Sequence, residues 1–121
     1  MTNKKTLVIG ASLKPERYSN RAIRKLLSYN HPVVAIGLKE GVINGAIIEK
    51  GKPDFENIDT VTMYINPHRQ EEFYEYIISL KPKRIIFNPG TENAYFKNIA
   101  QENGIEVVEN CTLVMLDTGL F

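Results

Sequence analysis

The chain has 121 residues, with 15 lysines and arginines against 14 aspartates and glutamates, for a formal net charge of +1. That length suits one domain with its own core. The near-neutral balance excludes a global attraction to nucleic acid or to an acidic membrane, so any positive field has to be local. No apolar run approaches the roughly 20 residues that cross a bilayer, and residues 1–6 leave no room for the apolar part of a secretory signal. Cys111 is the single cysteine, which excludes an internal disulfide framework and fits a cytoplasmic location.

The first predicted strand, residues 7–10, runs into Gly10-Ala11-Ser12 and then a polar stretch holding Pro15, Arg17, Tyr18, Ser19 and Asn20. A strand, a tight turn and a helix start aim backbone N–H groups at one point, where a phosphate can sit. Ala22, Ile23, Leu26 and Leu27 give a helix over residues 19–29 one apolar stripe. A second strand covers residues 33–36. Residues 37–58, broken by Gly41, Gly45, Gly51 and Pro53, predict an irregular connection with one short edge strand at Ala46-Ile47-Ile48. The third strand, residues 61–65, leads into Asn66-Pro67, a helix start signal. Phe73, Tyr76, Ile77 and Leu80 then mark one buried helix face over residues 67–80, stopped by Lys81-Pro82. A fourth strand covers residues 85–87. A helix over residues 91–103 buries Phe96, Ile99 and Ala100 and ends at Gly104, ahead of a fifth strand at 105–108. The apolar tail, residues 111–121, can dock on the domain or on a second copy of the chain, the latter giving a homo-oligomer.

Short apolar strands separated by helices predict a single α/β domain over residues 1–121. It is doubly wound, with a mainly parallel five-stranded sheet and helices on both faces. With the first strand central, the chain reverses direction beside it, and ligands of such sheets bind at the carboxyl edge of that switch point. Polar or turn-forming segments at 10–20, 37–41, 66–67 and 88–93 converge there. A dinucleotide site would show Gly-x-Gly-x-x-Gly and an acid ending the second strand. This chain has Gly10 alone and, after Ile36-Gly37-Leu38, Lys39. A cation in place of the ribose-binding carboxylate favours a ligand with an extra ribose phosphate, a feature of both NADP and coenzyme A.

Gly10-Ala11-Ser12 with Pro15, Arg17 and Ser19-Asn20, the Gly37–Lys39 segment with Gly45, Tyr64-Ile65-Asn66-Pro67, Asn88-Pro89-Gly90 with Glu92, and Cys111-Thr112 follow one another in an order that resembles the small stand-alone CoA-binding domain proteins. Their Rossmann-like fold is shared with the nucleotide-binding domain of the succinyl-CoA synthetase alpha subunit. The resemblance implies coenzyme A or an acyl-CoA as ligand. Gly10, Ala11 and Ser12 would line its adenosine diphosphate part, and Arg17, Ser19 and Asn20 would reach phosphates. Lys39 would lie near the ribose phosphate or adenine, Ile65 and Pro67 beside the nucleotide or pantetheine arm, and Asn88, Pro89 and Gly90 at the thiol end. The synthetase's phosphorylatable-histidine domain has no counterpart in these residues, so its ligation chemistry is not implied.

No constellation reads as a catalytic set. Cys111 fits a small buried hydrophobe, Glu92 a helix-dipole partner, and Glu71, Glu72 and Glu75 a solvated helix face. His31 and His68 lack metal-ligand spacing. The tyrosines do not interleave with basic residues, so a nucleic-acid surface is not expected. The leading expectation is a CoA-binding module without catalysis of its own. Two alternatives stay open: a small NADP- or acyl-CoA-dependent enzyme using the same pocket, and a regulatory or interaction subunit.

Overall fold

A computed structural model describes residues 3–121. At its centre lies β1 (Thr6–Ala11), with parallel neighbours β2 (Val33–Gly37) and β5 (Thr60–Met63). Beyond β5 follow β6 (Arg84–Phe87) and β7 (Glu106–Glu109), both parallel. Beyond β2 follow a parallel β4 (Ala46–Glu49) and, at the edge, an antiparallel β3 (Gly41–Ile43). The sheet therefore has seven strands, ordered β3-β4-β2-β1-β5-β6-β7, where the sequence reading expected five.

Both additional strands come from the segment read as irregular. Asn44 (φ 48°) and Gly45 (φ 93°) occupy the left-handed region together, the requirement of a two-residue hairpin turn whose twist matches its strands. They fold Val42 against Ile47 and Ile43 against Ala46. One edge strand was expected; the turn makes two.

Alternation along β1 fills both cores. Leu7 and Ile9 join Val61, Met63, Ile77, Phe87 and Phe96 on one face, whereas Val8 joins Ile23, Leu26, Ala35 and Leu116 on the other. Helices α1 (Tyr18–Ser28) and α5 (Thr112–Thr118) cover the second face. The first is covered by α2 (Pro67–Gln70), a 3₁₀ turn (Glu71–Phe73), α3 (Tyr74–Leu80) and α4 (Ala94–Glu102). The single helix read over 67–80 is thus broken near its start. Buried Gln70 sits at the break, where its Nε2 donates to Ile65 O (3.0 Å) and Thr91 O (2.8 Å). These bonds tie the first turn to two strand ends, and local helical continuity yields to them.

The tail docks on its own domain. Leu113, Met115 and Leu116 are buried, and Lys25 of α1 reaches Asp117 at 2.6 Å. Phe121 lies against His31 and under the Arg84 guanidinium at the opposite, amino end of the strands. Among the described residues no helix is long and apolar enough to cross a membrane.

Candidate functional site

At the carboxyl ends of β1, β2 and β5 a cavity of about 960 Å³ opens across the switch point. Its floor depends on Gly10. Position 10 interrupts the pairing of β1 with β2 between Ile9 and Ala11, with φ at 98°, and it lies close against the backbone of Tyr64. The walls include Ile36, Leu38, Ile65 and Phe73, flat apolar surface for a ring or an alkyl arm.

Helix α1 opens towards this cavity without a side-chain cap. Arg17 occupies the cap position in extended conformation and has no acceptor to offer. Helices α2 and α4 are capped by Asn66 and Asn93, whose Oδ1 atoms accept from Arg69 N–H and Phe96 N–H at 3.0 Å each. The first-turn N–H groups of Tyr18, Ser19 and Asn20 have no acceptor among the described residues. Unpaired donors at the positive end of a helix favour an anion.

The charges agree. Lys14, Arg17, Lys39, Lys50, Lys52 and Arg69 line the cavity against one carboxylate, Glu72. Six cations to one anion, in a chain of net charge +1, is a strong local bias. They divide by position: Lys14 and Arg17 flank the first turn, while Lys39, Lys50 and Lys52 follow the adjacent strands β2 and β4. Lys52 Nζ lies 5.7 Å from the Phe73 ring centroid, so the segment after β4 reaches the opposite wall. Tyr76 Oη holds that segment by donating to Pro53 O at 2.6 Å. A second depression of about 660 Å³ is lined by Glu71, Glu72 and Glu75 with Lys52, the wrong sign for a polyphosphate.

Tyr64 closes the cavity on the α1 side. Burial pushes its phenol up to about 12, against a smaller opposing effect of the Thr112 and Thr62 side chains. The lining contains no histidine or cysteine, and Cys111 and Glu92 lie outside it. No cluster of three or more metal-binding side chains occurs among the described residues.

Eight of the fourteen residues singled out from sequence line the cavity: Gly10, Ala11, Ser12, Arg17, Ser19, Gly37, Lys39 and Ile65. Six do not. Pro15 is exposed in the loop before α1, and Pro67 is exposed at the first position of α2. Asn20 is buried and directed at its own backbone, donating to Ser12 O at 2.9 Å. Asn88 is buried, its Nδ2 donating to Thr62 Oγ1 (2.7 Å) and Met63 O (2.8 Å) while its Oδ1 accepts from Thr112 N–H (2.9 Å). Pro89 and Gly90 are exposed, and Gly90 N–H donates to Glu92 Oε1. Sequence reasoning missed Lys14, Lys50, Lys52 and Arg69. Lys50-Gly51-Lys52 carried a signal, paired cations around a glycine, but only the pairing of β4 with β2 brings them to this edge.

A model of the CoA binding domain matches residues 4–117. The chain belongs to the CoA-binding domain family. A crystallised protein described as uncharacterized is 50% identical over the full length of both chains, with a TM-score of 0.96. A hypothetical protein from Pyrococcus horikoshii OT3 is 26% identical, with a TM-score of 0.85 over 98% of this chain and 84% of its own. The dinucleotide-forming acetyl-coenzyme A synthetase 1 of Candidatus Korarchaeum cryptofilum shares the fold at 17% identity and a TM-score of 0.73. That match spans 88% of this chain and 26% of the synthetase. No functionally curated protein matches the sequence. The family's ligand class fits the donor set: a phosphate-rich nucleotide suits unpaired amides, six cations and apolar walls.

Proposed function

We propose that this CoA-binding domain holds coenzyme A or an acyl derivative at the carboxyl edge of its sheet and carries out no chemistry of its own. The observation that carries this reading is the six-to-one excess of cations over carboxylates around an uncapped helix start. In this reading Lys14, Arg17 and the amides of Tyr18 and Ser19 hold the pyrophosphate. Lys39, Lys50 and Lys52, at the ends of β2 and β4, hold the ribose phosphate, and Ile36, Leu38, Ile65 and Phe73 offer apolar contacts. In this reading the site supplies binding and orientation alone.

Calorimetric titration with coenzyme A, dephospho-coenzyme A, NADP and NAD tests the proposal. A charge-assisted bond to phosphate is worth about 1.5–3 kcal/mol, so coenzyme A should bind at least tenfold more tightly than dephospho-coenzyme A. Lys39→Ala should narrow that gap. Absence of binding by coenzyme A, or tighter binding of NADP, rejects the reading. Equal affinity for the dephospho form rejects the role given to the three lysines.

A further inference from the structure

We infer that Asn20 and Arg24 are positioning residues that set the first β–α turn for its anion without touching it, an inference that rests on the coenzyme A reading above. Neither residue lines the cavity. Asn20, 3% exposed in the first turn of α1, turns its side chain back eight residues, so that Nδ2 donates to Ser12 O at 2.9 Å. One helical turn further on, Arg24 Nε donates to Asn20 Oδ1 at 2.8 Å, and its Nη2 donates to Pro15 O at 2.9 Å. Ser12 and Pro15 are therefore both tied to α1 through one connected set of side chains.

The direction of these bonds gives them their consequence. In a trans peptide the C=O and the following N–H point in opposite directions. Holding the Ser12 carbonyl on Asn20 sends the Leu13 N–H away from α1, and holding the Pro15 carbonyl on Arg24 does the same for Glu16. Leu13 lines the cavity, and its N–H has no acceptor among the described residues. Local bonds within the loop are few: Lys14 N–H to Ser12 Oγ at 3.2 Å and Arg17 N–H to Lys14 O at 3.1 Å. Residues 13–17 are exposed, and apart from the Leu13 side chain, which lies over Gly41, packing does little to hold them. Fixing such a loop before the ligand arrives removes an ordering cost from binding.

Arg24→Met keeps the aliphatic stem and removes both donors from an exposed side chain, so the fold survives. Coenzyme A titrations of the wild type, Arg24→Met and Arg24→Lys, at low and high salt, together with their Tm values, decide the matter. We expect roughly tenfold weaker binding for Arg24→Met and a Tm close to wild type. Arg24→Lys, which can keep one of the two bonds, should recover part of the loss. The loss should persist at high salt, where a simple long-range charge contribution is screened. Wild-type affinity in Arg24→Met overturns the inference, as does a loss that salt abolishes or lysine restores in full. If the wild type itself fails to bind coenzyme A, the ligand reading falls and the inference with it. That outcome is distinct from a binding wild type matched by its Arg24→Met variant, which sinks the inference alone.

Discussion

Replacing Gly10 by alanine asks how much of the site rests on the approach of the first turn to the end of β5. A Cβ at position 10 would lie 2.9 Å from Ile65 Cγ2, 2.9 Å from the Tyr64 carbonyl carbon and 3.0 Å from Tyr64 O. The Ile65 methyl can turn aside, but the Tyr64 backbone is held by its N–H bond to Ile9 O at 2.9 Å. The backbone conformation, φ 98°, adds strain of about 1–3 kcal/mol for any residue with a Cβ. Overpacking adds about 1–3 kcal/mol more. Gly45→Ala is the matched control: its φ is 93°, yet a Cβ there meets nothing within 4 Å. Only the strain contribution applies to it. Thermal unfolding should therefore place Gly10→Ala at least 1 kcal/mol below Gly45→Ala, or roughly 4 °C in Tm for a domain of this size. Coenzyme A affinity should fall in Gly10→Ala and hold in Gly45→Ala. Equal destabilisation by the two substitutions, or wild-type affinity in Gly10→Ala, would show that close approach does not shape the cavity floor.

Three further outcomes are expected. Arg17→Ala should weaken coenzyme A binding at least tenfold by calorimetry with little change in Tm, because the side chain is exposed and lines the cavity. Asn88→Ala leaves the Thr112 N–H and the Thr62 hydroxyl short of buried partners and should cost about 2–4 kcal/mol in urea unfolding; a loss below 1 kcal/mol would show that these bonds contribute little. Burial raises the phenols of Tyr64 and Tyr76 from 10 to about 12, so the folded state keeps protons that the unfolded chain releases. Their contribution is present in full below pH 10 and is lost as pH rises towards 12. Denaturant midpoints should fall across that window, and less steeply in the Tyr64→Phe, Tyr76→Phe double variant.

Much of the fold was legible because apolar strands and amphipathic helices write their period into the sequence. The order β1, β2 and β5 at the centre followed from the doubly wound pattern, and Gly10-Ala11-Ser12 marked the turn at the switch point. The Asn44-Gly45 turn was also legible, since Val42-Ile43 and Ala46-Ile47 flank it, but the surrounding glycines masked it as an irregular connection. Asn20 and Asn88 show the opposite case. A polar residue beside a binding turn reads alike whether its amide faces a ligand or a backbone carbonyl. The choice depends on Ser12 O at one site and on Thr62, Met63 and Thr112 at the other, atoms up to 26 positions away.

The same division runs through the molecule. Local sequence determined what most segments are and where the first turn bends, because hydrophobic period, proline and glycine act on their own neighbourhood. Tertiary structure decided which cations share a cavity. Lys14 and Arg17 adjoin the turn in the chain, but Lys50 and Lys52 reach it only because β4 pairs with β2, and Arg69 only because α2 starts at the end of β5. The field at the site is a sum over charges in space, and strand pairing, with no local period to announce it, sets those distances.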